Sequence, residues 1–258
     1  TMLKKIIKFV GLKNLNSPEI FLNKLENKKL KKNDLCLTFD DGSKTQDIAL
    51  EVLNDFKLKG FFFIPTNIFS KKPDFLEVYR YFRNNCYRKI DDFYLDFFSN
   101  IRKDYETFLI QNSDKIKKRL KKFHFFSYND VKFRFLRDNF LSKKEYDSIM
   151  IRLFKKKKFS PTSQKSKLFL NKEDLKNLKK EGHTIGLHSH SHPTKIDLMN
   201  SNLQYKEYFT NRKILSNLLG VPKEDLNSMA HPCGNYNKNT LKILENMKIK
   251  IGFSNQML

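Results

Sequence analysis

Two adjacent carboxylates, Asp40 and Asp41, close the run Leu35-Cys36-Leu37-Thr38-Phe39 and precede Gly42. Far downstream, His188 and His192, four apart, follow a second run, Thr184-Ile185-Gly186-Leu187. Both runs are short and mostly apolar, which predicts buried strands and places all four groups at strand ends. Neutral imidazoles at that spacing can turn toward one point when the chain coils after the strand, and a carboxylate completes a His-His-Asp set. Such a set suits a divalent metal that keeps positions open for water and substrate. The remaining carboxylate next door can then act as a general base on that water. The chemistry that these residues compose is hydrolysis.

The elements that must position them alternate. Leu30 to Thr66 reads strand, helix, strand: Ser43 and Gln46 form a capping-box pair, Ile48 to Leu58 carries the apolar positions, and Gly60 stops the helix. Phe61-Phe62-Phe63-Ile64 follows as a second buried strand ended by Pro65. From Leu168 onward the alternation resumes. Asn171 caps a helix to Lys180, Gly182 terminates it, and the 184–187 strand delivers the histidines. Ser201 and Gln204 pair at the start of a helix through Leu219, closed by Gly220 and Pro222. Asn227 to Ala230 leads into the turn His231-Pro232-Cys233-Gly234, and a helix over 240–247 with a strand over 249–253 ends the chain. Alternation of this kind implies parallel strands with helical crossovers, an α/β fold.

The middle differs. Between Asp74 and Ser160 there is no glycine, and the stretch holds 21 of the chain's 35 aromatic residues. Apolar residues recur at helical spacing (Phe93, Phe97, Ile101; Tyr105, Phe108), so it reads as successive helices broken at 112–114, at 127–129 and at Ser142. The aromatic stripes read as core, and Lys155 to Lys158 as a solvated helix end. The chain therefore divides into a basic amphipathic segment (1–29), an α/β domain (30–72 with 161–258) and an all-α insertion (73–160).

With 258 residues and 39% apolar content, the chain can bury a sizeable core, and no run reaches membrane-spanning length. The net charge of +23 invites an anionic partner. Its excess, however, is spread along the chain: +10 over 74–160 and +13 over the rest. No nucleic-acid partner is expected. Cys36, Cys86 and Cys233 are odd in number and show neither disulfide nor zinc-knuckle spacing, and the start lacks a signal-peptide pattern. These features predict a cytoplasmic protein. Leu3, Ile6, Ile7 and Val10 against Lys4, Lys5 and Lys8 form a basic amphipathic helix, suited to docking on its domain or to lying on anionic lipid.

At Thr38-Phe39-Asp40-Asp41-Gly42 and at Gly182 to Pro193, the chain resembles the polysaccharide deacetylases, the NodB-type homology domain of carbohydrate esterase family four. The resemblance covers about residues 30–70 and 168–254. It implies a distorted, incomplete (β/α) barrel with chemistry at the carboxyl ends of the strands. It further implies that Asp41, His188 and His192 hold the metal, Zn2+ or else Co2+, Ni2+ or Mn2+, and that Asp40 is the base. A backbone N–H in the turn at Cys233 and Gly234 would hold the oxyanion. Two departures stand out. The third motif of the family, Arg-x-Pro-x-Gly, has Ala230 at the arginine position. The late Leu-x-His motif that supplies the general acid is missing, which leaves His231 as first candidate for that role and His124 as second. The expected activity is removal of N-acetyl, or N-formyl, from a nucleotide- or lipid-linked amino sugar in surface polysaccharide or lipopolysaccharide synthesis, with possible contact at the inner face of the membrane. The alternatives are a sugar- or lipid-carrier-binding protein of the same fold with weakened or lost catalysis, and a basic adaptor that binds nucleic acid or membrane independently of metal.

Overall fold

Five short strands carry the site: β1 (Thr38–Phe39), β2 (Phe61–Ile64), β3 (Thr184–Leu187), β4 (Ser228–Ala230) and β5 (Ile251–Phe253). All pair in parallel, and their order across the sheet is their order in the chain. Parallel strands added always on the same side wind in one direction, as in a (β/α) barrel, where a doubly wound sheet would reverse. With five strands among the described residues, the barrel is incomplete. The computed structural model describes residues 1–70 and 75–255, and the chain forms two compact units, 1–74 with 165–258 and 75–164.

In the first unit, helices α1 (Met2–Val10) and α2 (Pro18–Glu26) precede β1, and α3 (Gln46–Asp55) crosses from β1 to β2. The second unit holds α4 (Phe75–Asn85), α5 (Ile90–Phe98), α6 (Tyr105–Gln111), α7 (Ser113–Lys122), α8 (Tyr128–Asn139) and α9 (Lys143–Lys156). The chain returns through α10 (Lys165–Leu168) and α11 (Lys172–Lys180) to β3. Then α12 (Ser201–Leu219) and α13 (Lys238–Asn246) make the last two crossovers.

Strand alternation sorts the β2 side chains. Phe61 and Phe63 point to one face and pack with Ala230, Leu22, Cys36 and Phe253. Phe62 stacks on Phe39 at 4.8 Å from the other. All four β2 residues are fully buried, each large side chain stabilising the fold by about 1.5–3 kcal/mol. Gly186 on β3 is required by this packing: a Cβ there would lie 2.5 Å from the Phe63 ring and 2.8 Å from the Ser228 carbonyl. In the second unit the aromatic stripes are core, as expected. Phe97 meets Phe133 edge to face at 4.9 Å, and Phe82 meets Phe154 at 4.6 Å.

The helix boundaries depart from expectation where side chains have other work. Thr45 and not Ser43 precedes α3, without a side-chain cap, and the Gln46 amide instead donates to the Asp40 carbonyl. At α12 the cap is Asn200, one residue earlier than expected, whose side chain accepts from the Leu203 N–H. Gln204 is fully buried, donating to the Met199 carbonyl and accepting from the Thr240 hydroxyl. The expected strand over 35–39 shrinks to Thr38–Phe39 because β1 is an edge strand. Leu35 pairs only as an isolated bridge with Leu15 and is 38% exposed. In α1, Ile7 docks inward while Ile6 is exposed.

Candidate metal centre and active site

Three expected ligands converge. The Asp41 carboxylate lies 3.3 Å from His188 Nε2 and 3.2 Å from His192 Nε2, the two rings are 4.8 Å apart, and the three ligand atoms fall within 4.8 Å of one another. Sequence spacing alone does not achieve this; the turns do. Asp41 and Gly42 both adopt left-handed backbone, φ 71 and φ 60, swinging the carboxylate off the end of β1. After β3, Ser189 (φ 60) and His192 (φ 53) do the same, and the Ser189 hydroxyl accepts the His192 N–H. Left-handed backbone in non-glycine residues costs free energy, and its concentration at a site is a mark of function.

His188 is oriented by a partner. Its Nδ1 lies 2.9 Å from the Ala230 carbonyl, an acceptor only, so Nδ1 carries a proton and Nε2 is the nitrogen turned to the cluster, donating to Asp41 when protonated and offering a lone pair to a metal when neutral. A ring nitrogen fixed in this way by a backbone carbonyl is the usual support of a metal-ligating histidine. Alanine at position 230 therefore contributes through its backbone. The His188 side chain is 2% exposed. Burial by itself would lower its pKa, yet the Asp41 hydrogen bond and the charges of Asp40 and Asp41 raise it above the ordinary value. The donor set of two nitrogens and one carboxylate oxygen fits a divalent first-row ion.

Asp40 stands beside this cluster. As a residue it is exposed. Partial desolvation of its carboxyl, with the Asp41 charge, raises its pKa despite the opposing charge of His188. A carboxylate with raised affinity for a proton is what a general base requires.

The residues that hold the turns were not singled out from sequence. Asn211 of α12, fully buried, accepts the His188 N–H and donates to the Ile64 carbonyl and the Thr66 hydroxyl. One amide thus fastens the ends of β2 and β3. One turn earlier, Glu207 accepts the N–H groups of His190 and Ser191 and the Ser191 hydroxyl. His190 turns its Nδ1 to the Thr66 hydroxyl at 2.9 Å, a supporting position. The signal for Asn211 was present: Gln204, Tyr208, Asn211 and Leu215 recur at helical spacing, so a core-facing amide could be read from the pattern.

His231 is not among the converging groups. It is 6% exposed, stacks on Tyr236 at 4.4 Å, and lines a pocket of about 350 Å³ with Leu244, Glu245 and Ile251 that contains none of the three ligands. Desolvation and the His188 charge lower its pKa to about 4, so the ring is neutral at pH 7. The turn behind it bears left-handed Cys233 (φ 54) and Gly234 (φ 72), with Cys233 exposed. His183 accepts the Gly60 N–H at Nδ1, 3.2 Å, and so ties the start of β3 to that of β2. His124 is exposed in the helical unit.

Comparison with known proteins agrees with this geometry. Residues 141–252 match the family model described as polysaccharide deacetylase, a span that includes His188, His192 and the 230–234 turn but not Asp40–Asp41. No curated protein matches the sequence. Among solved structures, the BpsB deacetylase domain from Bordetella bronchiseptica is similar, with 12% identity, TM-score 0.54, and 98% of this chain and 76% of that one covered. A de-N-acetylase from Aggregatibacter actinomycetemcomitans aligns at 12% identity and TM-score 0.52, covering 97% and 74%. The Streptococcus pyogenes deacetylase PplD, in complex with acetate, aligns at 15% identity and TM-score 0.50 over 94% of this chain. The chain spans 65% of the length of PplD. At such identities the likeness is one of fold, and that fold is the distorted, incomplete barrel expected. Residues 141–252, which carry both histidines of the cluster, are thus similar to the polysaccharide deacetylase family, in a chain whose strand ends bring Asp41 to those histidines.

Proposed function

We propose that this chain is a metal-dependent deacetylase that hydrolyses an N-acetyl, or N-formyl, group of an amino sugar, releasing the carboxylic acid and the free amine. The observation that carries the reading is the meeting of Asp41, His188 and His192 beside the proton-accepting carboxyl of Asp40. A divalent ion held by those three supplies Lewis-acid polarisation and lowers the pKa of water. Asp40 takes the proton from the attacking water, Asp41 and the paired imidazoles hold the reacting centre, and the backbone N–H of Cys233 is the donor to the developing oxyanion, since the Gly234 N–H already donates to the His231 carbonyl. Loss of one such donor costs about a hundredfold or more in rate. When the carbon–nitrogen bond breaks, the departing amine needs a proton. Neutral His231 holds none to give at pH 7, so the proton taken up by Asp40, or solvent, serves.

A basic chain with net charge +23 favours a phosphorylated, nucleotide- or lipid-linked sugar electrostatically, which supports a role in building surface polysaccharide or lipopolysaccharide on the cytoplasmic side. The second reading, a binding protein of the same fold with weakened catalysis, is favoured by Ala230 in the arginine position and by the neutral His231. The deciding experiment is elemental analysis of the wild type beside His188→Ala and Asp41→Ala, followed by amine release from acetylated and formylated amino sugars. The expected result is about one zinc or similar ion per chain, lost in both variants, with turnover in the wild type alone. A metal-free wild type that takes up no added zinc, cobalt or nickel overturns the proposal. Metal without turnover supports the binding protein.

A further inference from the structure

Two helices of the second unit carry the same short pattern, Tyr79-Arg80-x-x-Arg83 on α4 and Phe133-Arg134-x-x-Arg137 on α8. Each places two arginines three apart, on neighbouring positions of one helix surface. All four line a single small recess, closed by Tyr146 of α9. Like charges brought together in a part-buried recess repel, so their convergence must be offset by anionic groups.

Among the described residues, two of the four arginines must share one carboxylate. Arg80 pairs with Glu77 at 2.7 Å and Arg137 with Asp138 at 2.7 Å. Arg83 and Arg134 have to share Asp130: Arg134 takes it at 3.1 Å, the Tyr94 hydroxyl donates to the same oxygen at 2.8 Å, and Arg83 is left at 3.8 Å. The Arg83 side chain is only 14% exposed, and its Nε is buried with no hydrogen-bond partner. A buried, unsatisfied N–H on a charged group is costly, so a bound acceptor there would be favoured. The Phe133 face lies 5.4 Å below the Arg83 guanidinium and 5.9 Å from that of Arg137. Planar guanidinium donors backed by an aromatic face suit tetrahedral oxyanions, which accept several N–H groups at once.

We propose that this recess binds a phosphate group, with Arg83 as its buried anchor and Arg80, Arg134 and Arg137 as the surrounding donors. The recess is small, so it takes a phosphate or the terminal phosphate of a diphosphate, while the rest of the ligand stays outside. This assignment stands on the helical unit alone and does not depend on the deacetylase reading.

The test is calorimetric titration of inorganic pyrophosphate into the full chain at physiological chloride. One saturable site per chain is expected. Arg83→Met should abolish it, and Arg80→Gln and Arg137→Gln should each weaken it about tenfold or more. The charge-matched Lys143→Gln and Lys179→Gln should bind as the wild type does. Circular dichroism establishes that each variant is folded; if Arg83→Met is not, the two lining variants decide. Asp41→Ala should bind pyrophosphate normally. Loss of binding in that variant would assign the anion to the Asp-His-His site and overturn the proposal. So would absence of a saturable site, or equal weakening by the lysine and arginine variants. Competition by a nucleoside diphosphate against an alkyl diphosphate then tells which source of phosphate the recess prefers, as the tighter of the two displaces the probe at lower concentration.

Discussion

At the scale of single residues, the backbone separates two adjacent aspartates. Asp41 swings through left-handed φ to meet the imidazoles, while Asp40 stays behind with a raised pKa. Removing either should therefore fail differently. Asp40→Asn keeps the shape and the three ligands but cannot accept a proton. Metal content should stay at the wild-type level, and kcat should fall by about a hundred- to ten-thousandfold. His231→Gln is the companion measurement. A ring stacked on Tyr236 and neutral down to about pH 4 has no proton to donate at pH 7. The variant should keep kcat within about tenfold and an unchanged pH–rate profile. Loss of the alkaline limb in that variant would instead make His231 the acid. The convergence of Asp41, His188 and His192 was legible because two long motifs end predicted strands. Glu207 was not, and for Asn211 the helical pattern gives a core-facing amide but not the turn that it holds.

At the scale of elements, strands and helices were legible from apolar periodicity, and their caps were less so. Asn112, Ser127, Ser142 and Asn171 each precede their helices as composition predicts. Ser43 and Ser201 lose that role because Gln46 and Gln204 are recruited to tie loops and helices together, a tertiary use that local pattern does not encode. His183 shows what such a tie implies for stability. Its Nδ1 must stay unprotonated to accept the Gly60 N–H, and burial, with Lys59 nearby, lowers its pKa from 6.5 to about 4. Between those values the unfolded chain binds a proton that the native chain refuses, so stability is full above about pH 6.5 and is lost as pH falls toward 4. For this group alone the loss from pH 7 to pH 5 should be about 2 kcal/mol. Urea unfolding at the two pH values measures it, and His183→Gln should flatten the dependence by that amount. An unchanged slope would mean that the histidine is protonated in the native state. His231, lowered to the same range, adds to the wild-type slope and remains in the variant.

At the scale of the whole molecule, one exposed helix face joins apolar side chains to basic charge. No described helix is long and apolar enough to cross a membrane. Yet α1 uses only one of its two apolar sides for docking. Ile7 is fully buried, while Met2, Ile6 and Phe9, at spacings of four and three, form a row outside, Phe9 being 91% exposed and Leu12 continuing the row. Lys5, Lys8 and Lys13 flank them, and the first turn carries no acid. An apolar row rimmed by lysines is complementary to an anionic lipid surface: the apolar side chains enter the acyl boundary, and each lysine adds about 1 kcal/mol near the charged headgroups. Cosedimentation with phosphatidylglycerol vesicles should therefore retain the wild type at low salt and release it as salt rises. Phosphatidylcholine vesicles should retain little. Phe9→Asp should weaken the anionic binding about tenfold while leaving unfolding unchanged, because that side chain makes no buried contact. Lysine-to-glutamate changes at positions 5 and 8 should remove the salt-sensitive part. If Phe9→Asp bound as tightly as the wild type, the attraction would come from the diffuse charge of the chain, and α1 would be an ordinary docked helix.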